Sequence, residues 1–308
     1  MLSIVQTALE LGLMGSLTVL ALFLSYSMLG VCDLSTDGCF TLGAVVGAVV
    51  ALAGHPWLSI PAAMAAGMLS GFVTALLQTR MGVDSLLAGI VVNTGLYSVN
   101  IAIMGGASLL NMNKTETVFT GMKALLASTP LAPYYKTAVA LLAVLLALVF
   151  LTLFLRTRLG LAIRATGDNI DMLRASSVNP AFTTLVGLCA SNALTGLSGC
   201  LLAQAQKSVN IDIGSGMVTI ALASLLMGRA FAPSGGIPRR ATGAVLGAVV
   251  FRLVYALALR LNMPAFMLKL VSSVIVIFAI AGPYMKARYP ELHRRLSHKY
   301  GKGGGARA

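Results

Sequence analysis

The sequence contains few charged residues and few of the side chains that usually carry catalysis. Only 10% of its 308 residues are Asp, Glu, Lys or Arg, compared with about 25% in an average soluble domain. It has 3 histidines, and no His–Cys cluster shows the spacing of metal ligands. The phosphate-binding motif G-x-x-x-x-G-K-[ST] is absent. These absences exclude a soluble globular domain and argue against an enzyme, a resident metal or a cofactor.

Apolar residues fill the chain, at 57% of the total. A membrane-spanning helix needs about 20 mostly apolar residues, and outer-membrane barrels alternate apolar and polar residues instead. We therefore predict an all-α polytopic membrane protein with about nine transmembrane helices, one transmembrane domain over residues 1–285 and a basic tail over 286–308. The predicted spans are residues 8–31, 38–54, 57–78, 85–104, 137–155, 181–204, 216–232, 241–259 and 265–284.

The first apolar run lacks a basic flank and is too long for a signal peptide, so no cleavable leader is expected. The four cysteines lie in or beside apolar segments, which favours packing residues over disulfides.

The formal net charge of +13 is explained by the positive-inside rule rather than by nucleic-acid binding. If the 156–180 loop is cytoplasmic, that side carries 15 Lys and Arg residues against 5 outside. We therefore expect the N-terminus outside and the C-terminus in the cytoplasm. The outer loop over 105–136 has a modestly apolar middle that could form a short interfacial helix.

Three short matches suggest an internal repeat. Residues 38–42 resemble 216–220, residues 67–71 resemble 243–247, and residues 80–83 resemble 260–263, at offsets of 178, 176 and 180. Because five spans separate the copies, the copies would run in opposite directions, and inverted repeats are common in transporters. The alternative is chance similarity between Gly-xxx-Gly helix-packing motifs.

Polar residues form stripes on two spans. Asn93, Tyr97 and Asn100 share one face of span four, and Asn192 and Thr195 do the same on span six. Such side chains could line a polar passage, because amides in hydrocarbon are unfavourable unless they are paired or hydrated. The alternative is hydrogen bonding between helices.

The stretch Asp33-Leu34-Ser35-Thr36-Asp37-Gly38 separates the first two spans. Two acids and a glycine beside a short span indicate a helix broken at membrane depth. The alternative is a cytoplasmic turn in which Ser35 or Asp37 caps the next helix. Arg252 and Lys269 fall inside spans eight and nine, and their role is open at this point.

Within the 156–180 loop, Asp168 or Asn169 could cap a short helix that presents Ile170, Met172 and Leu173. A short amphipathic helix between long spans is suited to docking a cytoplasmic partner, although it could also lie on lipid, anchored by its arginines.

Several short motifs of the chain occur together in one known family. They are Ala165-Thr166-Gly167-Asp168-Asn169, Arg174-Ala175, Val178-Asn179, Asp33-Leu34-Ser35, Phe40-Thr41-Leu42-Gly43-Ala44 and Leu86-Leu87-Ala88-Gly89-Ile90. In these motifs the sequence resembles the branched-chain amino acid and ribose permease family of bacterial ATP-binding cassette (ABC) importers. The resemblance covers residues 8 to 285, and tryptophan- and tyrosine-type permeases are the most similar subgroup. The chain departs at Ser177, where the family usually has Gly.

This resemblance implies a fold similar to the vitamin B12 importer (type II) permease, in a bacterial inner membrane. It also implies a second permease copy, identical or similar, a cytoplasmic ATPase dimer and an external binding protein that delivers a small solute. We expect this solute to be an amino acid, and the most similar subgroup points to an aromatic one. The expected ATPase-coupling residues are Arg164, Gly167, Asp168, Asn169, Met172, Leu173, Arg174, Ala175, Val178 and Asn179. The expected path residues are Asp33, Ser35, Asp37, Asn93, Tyr97, Asn100, Asn192 and Thr195.

Two other functions remain open from the residues. An ion-coupled secondary transporter also uses inverted repeats, but such carriers usually bury acids within their helices, whereas the acids here lie mostly at span ends. A membrane-embedded enzyme would need a His, Cys or acid constellation, which the sequence lacks.

Overall fold

A computed structural model describes residues 2–125, 132–232 and 235–260, with single positions at 270, 273, 274, 277 and 281. Helices dominate this part of the chain, and one short antiparallel ribbon joins β1 (Leu109–Asn111) to β2 (Ser208–Asn210). The helices are α1 (Leu2–Leu22, continued by a π-helical turn over Phe23–Met28), α2 (Thr36–Leu52), α3 (Ser59–Arg80), α4 (Ser85–Ile103), α5 (Val118–Leu125), α6 (Tyr135–Arg156), α7 (Arg158–Asp168), α8 (Ile170–Ala175), α9 (Pro180–Gln206), α10 (Met217–Phe231) and α11 (Ile237–Arg260). A 3-10 turn, Ala132–Tyr134, precedes α6.

Eight of the nine predicted spans are helical in the described ranges. Six have the length and hydropathy needed to cross a membrane: α1 with its π-turn, α3, α4, α6, α9 and α11. The helices α2 and α10 are apolar but shorter, at 17 and 15 residues. The ninth predicted span, the tail and Lys269 lie outside the described residues, apart from isolated positions, so the count of nine stays a prediction. The loop over residues 105–136 contains α5, where a short helix was expected.

The core forms around α1 and α9, which are the most buried of the candidate spans. Helix α9 is in contact with α2 on one side and α3 on another. Small residues permit this close packing: a Cβ atom on Gly43 of α2 would collide with the backbone of Gly196, and one on Gly67 of α3 with the carbonyl of Asn192. Large apolar side chains, including Leu17 and Phe23, fill the space around α1.

The helix pairing follows the pattern that an inverted repeat requires. Helix α3 packs along α9, and its counterpart α11 packs along α1. In the same way, α2 contacts α3 and α9, while α10 contacts α11 and α1. If each helix of one half is replaced by its counterpart in the other half, the contacts of the first half become those of the second. This exchange supports the predicted repeat at the level of helices.

The glycines that match between the two halves of the repeat do not make equivalent contacts. Gly67 and Gly71 of α3 approach the backbone of α9, whereas Gly243 and Gly247 of α11 approach α10 near Gly228. An equivalent position on α11 would instead face α1. Local helix packing, the alternative for such motifs, explains these four glycines. Most of the third match, at residues 260–263, lies outside the described ranges.

Candidate functional site

The chain breaks its helical course between residues 29 and 35, and Asp33 anchors this segment in the protein interior. Asp33 is only 1% exposed. One of its carboxylate oxygens accepts hydrogen bonds from the Ser35 backbone amide at 2.8 Å and the Ser35 hydroxyl at 2.6 Å. Its other oxygen accepts a bond from the Asn192 side-chain amide at 2.7 Å.

The hydrogen bond between Asp33 and Asn192 shows how far along α9 the helix break lies. Asn192 is the thirteenth residue of the 27-residue helix α9, so it lies about 18 Å along the helix from Pro180. The break therefore reaches the middle of the longest helix in the described chain. The Ser35 side chain caps no backbone group of α2. The geometry favours a break at membrane depth over the alternative of a cytoplasmic capping turn.

Asp37 joins the starts of α2 and α10. Its two carboxylate oxygens accept hydrogen bonds from the backbone amides of Gly216 at 2.9 Å and Val218 at 2.8 Å. A carboxylate on the first turn of α2 thus caps α10, where the free amides and the positive end of the helix dipole favour negative charge. Gly216 has a φ of +83°, a left-handed conformation that glycine adopts without strain.

The two short helices therefore begin at one point inside the protein. At 1.5 Å per residue, α2 is about 25 Å long and α10 about 22 Å, so neither crosses a hydrocarbon core of about 30 Å. These are also the two helices that the predicted repeat relates. Discontinuous helices that meet near mid-membrane form the solute sites of many transporters.

A polar cavity of about 420 Å³ lies at this meeting point. The end of the β2–α10 connection closes one side of it, and α4 contributes another. Its lining residues are Asp37, Gly38, Thr41, Asn93, Thr94, Tyr97, Ser98, Asn100, Ile211, Asp212 and Ser215. Among the described residues, two carboxylates and no basic side chain line this space.

The polar stripe of α4 lies along this cavity. Asn100 is 1% exposed and donates its side-chain N–H to the Gly38 carbonyl at 3.3 Å. Its side-chain oxygen has no hydrogen-bond partner in the described chain. Asn93 occupies the space that a Gly38 side chain would fill, and Tyr97 is half exposed. One helix face thus brings three sequence-predicted residues to one cavity.

The stripe of α9 has a different environment. Asn192 and Thr195 are fully buried and do not line the cavity. Asn192 bonds Asp33, and the Thr195 hydroxyl donates to the Ser191 carbonyl within α9 at 3.3 Å. Both side chains therefore make structural hydrogen bonds, although neither bond joins two helices as the alternative had it: one reaches the helix break and the other stays within α9. Asp33 and Ser35 belong to the same buried network, and Thr74 of α3 donates to the Ser35 hydroxyl at 3.3 Å.

Four polar residues of the cavity lining were not predicted from the sequence: Thr41, Thr94, Ser98 and Ser215. Thr41 lies four positions after Asp37 on α2, and its hydroxyl donates to the Asp37 carbonyl at 3.1 Å. Thr41 could have been identified from its spacing, because a separation of four residues places it on the same face of α2 as Asp37. No comparable local pattern identifies Ser215, which reaches the cavity through the turn before α10.

The predicted coupling loop consists of two helices, α7 and α8. Asn169, rather than Asp168, caps α8, since its side-chain oxygen accepts from the amides of Asp171 and Met172 at 3.0 Å each. Asn179 likewise caps α9 through the Ala181 amide at 2.9 Å.

The side chains of α8 differ in exposure. Ile170 and Met172 are exposed, but Leu173 is 4% exposed and packs inward. Arg174 pairs with Asp171 at 3.4 Å on the exposed surface. Ser177 has a φ of +59°, in the left-handed region where the glycine usual for the resembled family would be unstrained. The loop therefore presents an exposed apolar patch, Ile170 and Met172, to which a partner could bind.

The loop also contacts the start of the helix break. Gly167 packs so closely on the end of α1 that an added Cβ would collide with the Met28 carbonyl. Its Cα lies 3.5 Å from the position of a Cβ atom built on Gly30. The Thr166 and Thr183 hydroxyls are hydrogen-bonded at 2.6 Å and tie α7 to α9. A short covalent path of residues 30–37 then leads from this contact to the polar cavity.

Arg252 lies between α11 and α1, away from both regions. Its guanidinium lies about 4 Å from where a Gly15 side chain would begin, and 5.8 Å from the Tyr255 ring centroid. A cation over an aromatic face is favourable in a low-dielectric environment. No ion pair of Arg252 occurs within the described ranges.

The fold and these two regions define a polytopic helical membrane protein. A family model described as the permease component of branched-chain amino acid transport systems matches residues 4–280. The chain therefore belongs to this family of ABC transporter permeases, as its motifs indicated.

Curated relatives cover most of the chain. A tyrosine transport system permease protein of Clostridioides difficile (strain R20291) is 28% identical over 267 residues, 86% of either chain. An uncharacterized protein of Rickettsia prowazekii (strain Madrid E) is 30% identical over 228 residues, 74% of this chain and 78% of the relative. The guanosine ABC transporter permease protein NupQ of Bacillus subtilis (strain 168) is 26% identical over 276 residues, 83% and 81% respectively. No solved structure matches the chain.

Proposed function

We propose that this chain is the membrane-spanning permease subunit of an ABC importer and forms half of the path for a small polar solute. The observation that carries the proposal is the polar cavity where α2 and α10 begin, since such meeting points hold solutes in transporters. Family membership supplies the coupling to ATP hydrolysis, which would occur on a separate cytoplasmic ATPase dimer. The chain itself would then be a transport component without catalytic residues.

A second permease copy, identical or similar, would complete the path. Helix α4 is the least buried of the candidate spans, although its polar face lines the cavity. Tyr97 and Val91 on this helix are each about half exposed. A partner that covers α4 would enclose the cavity between the two chains. We leave Asn192 and Thr195 out of the proposed lining and assign them to the buried network that holds the Asp33 break.

The solute class follows from the charge of the cavity and from the relatives. Asp37 and Asp212 face the cavity without a neighbouring cation in its lining, which disfavours an anionic solute and suits one with an ammonium group. An amino acid, delivered by an external binding protein, is therefore our first choice, and a tyrosine permease among the relatives directs it to an aromatic one. A nucleoside is the second choice, because it is uncharged and a guanosine permease is among the relatives.

The proposed orientation places the exposed α8 patch in the cytoplasm of a bacterium, against the ATPase, with the N-terminus outside the inner membrane. Contact of Gly167 with the end of α1 supports a mechanical connection from that patch to the cavity. Movement of α7 would be passed to residues 30–37 and so to Asp37.

Uptake by vesicles tests this proposal. Proteoliposomes that contain the permease, its ATPase and its binding protein should accumulate labelled tyrosine or guanosine only with ATP on the ATPase side. Uptake driven by a proton or sodium gradient without ATP would instead indicate the secondary-transporter alternative. A panel of tyrosine, tryptophan, leucine and guanosine would distinguish the solute classes.

A further inference from the structure

A second cavity, of about 660 Å³, lies at the opposite end of α10 from the polar site. Four arginines line it: Arg156 ends α6, Arg164 lies on α7, Arg229 is in the last turn of α10, and Arg240 is near the start of α11. With Asp168 as the one acidic lining residue, the side chains carry a formal charge of +3. The start of α11 adds the positive end of its helix dipole.

Within the described ranges, these four arginines form no ion pair. The ion pair in that part of the chain joins Arg174 to Asp171, and Asp168 forms none with its four basic neighbours. Elements distant in sequence thus bring like charges around one space, which is unfavourable unless an anion or bulk water compensates them. A bound anion would connect α6 and the coupling helix α7 to α10 and α11.

The wall of the cavity includes a residue of an irregular helical turn. Ser27 lines the cavity and belongs to the π-helical turn Phe23–Met28, and such turns often occur at functional sites. The Ser27 hydroxyl itself is inaccessible, so the arginines are the groups that a ligand could reach. Guanidinium forks suit the oxygens of a phosphate group.

The surroundings favour a lipid as the source of that phosphate. Arg156 follows an apolar stretch of α6 in which Phe150 and Leu153 are more than half exposed, as expected of a surface that faces acyl chains. Basic pockets between spans on the cytoplasmic side bind anionic head groups. We infer that this cavity binds the phosphate group of an anionic phospholipid in the inner leaflet. The inference rests on the proposed orientation, which thiol labelling tests separately.

Lipid retention by the purified full-length chain tests the inference. The chain in detergent is supplied with equal amounts of phosphatidylglycerol and phosphatidylcholine, and bound lipid is counted by native mass spectrometry. Preferential retention of phosphatidylglycerol is expected. Arg164→Gln and Arg240→Gln should each weaken it about fivefold, because one basic residue near an anionic surface contributes about 1 kcal/mol.

Two further variants separate charge from misfolding. Arg239→Gln removes an exposed charge beside Arg240 that does not line the cavity, so retention should stay at the wild-type level. Asp168→Asn removes the lining acid and should strengthen retention about fivefold, a gain that damaged folding would not produce.

Four results would overturn the inference. One is equal retention of the two lipids. Another is the same retention by the Arg164→Gln, Arg240→Gln and Arg239→Gln variants. The third is binding of inorganic phosphate without any retained lipid, which would identify a soluble anion as the ligand. If the arginine variants weakened only the association with the ATPase, the cavity would be a protein contact and the lipid site would be refuted.

Discussion

Asp37 offers a direct test of how the two short helices are joined. Its carboxylate accepts two backbone hydrogen bonds from the first turn of α10, at 2.9 and 2.8 Å. Asp37→Asn keeps the shape of the side chain but replaces one acceptor oxygen with an NH2 group. That group would face a backbone N–H, and two donors cannot bond each other. The variant should therefore lose one of the two bonds to α10.

The size of the effect follows from this loss. A hydrogen bond to a charged group contributes about 1.5–3 kcal/mol, so Asp37→Asn should lower the free energy of unfolding by that amount. Asp37→Ala removes both bonds and should lower it by about 3–6 kcal/mol. At roughly 2–4 °C per kcal/mol, the Asn variant should melt about 3–12 °C below the wild type.

Thermal unfolding of the purified chain in detergent measures this effect, with Asp212→Asn as the matched control. Asp212 lines the same cavity and is exposed, and it carries the same charge. Its change to Asn alters the cavity charge equally, but surface substitutions usually shift stability by no more than about 0.5 kcal/mol. Equal melting temperatures for the Asp37→Asn and Asp212→Asn variants would refute the capping role of Asp37.

Three further predictions concern the cavity, the coupling loop and the orientation. Asn93→Ala should change solute uptake with little loss of stability, whereas Asn192→Ala should lower stability by about 1.5–3 kcal/mol because a carboxylate loses its buried partner; uptake and melting curves measure both. Met172→Asp should abolish transport-coupled ATP hydrolysis, measured as ATPase stimulation by loaded binding protein, because it places a charge in the exposed docking patch. Cysteines introduced at His55 and Ser176, both exposed, should react with impermeant thiol reagents from the outer and the cytoplasmic side respectively.

Each of these has a control or a contradicting result. A large drop in melting temperature for Asn93→Ala with normal uptake would identify that amide as structural. Leu173→Asp serves as the contrast to Met172→Asp, since a charge at a buried site should destabilise the chain itself. Normal coupling in the Met172→Asp variant would exclude α8 as the docking element. Labelling of both cysteines from one side, in a background free of the four native cysteines, would contradict the proposed orientation.

The helical spans and the short helices of the 156–180 loop could be predicted from the sequence because their signals are local. A run of about 20 apolar residues predicts a helix wherever it packs, since lipid leaves the backbone no other way to satisfy its hydrogen bonds. The caps at Asn169 and Asn179 are equally local. The stripe Asn93, Tyr97 and Asn100 was predictable for the same reason, because helical periodicity alone puts these residues on one face.

The tertiary structure decided which of the polar stripes faces a cavity. Asn192 and Asn93 are the same residue type on similar apolar helices, and their spacing to neighbouring polar residues is alike. Asn192 is buried because Asp33, 159 positions earlier, enters beside it. Periodicity identifies a face of a helix, but the neighbour that covers this face is chosen by packing.

The environments of Asp37 and Leu173 also depend on packing and could not be predicted from local sequence. Asp37 caps a helix that begins about 180 residues later, and only the meeting of α2 with α10 makes that contact possible. Leu173 belongs to an exposed loop by its position, yet the packing of α8 on α9 buries it. The membrane-spanning class, the family, and the local helices and caps could all be inferred from the amino-acid sequence alone. The contacts between distant segments decided the function of individual polar residues, because a side chain's environment depends on packing partners that no local pattern contains.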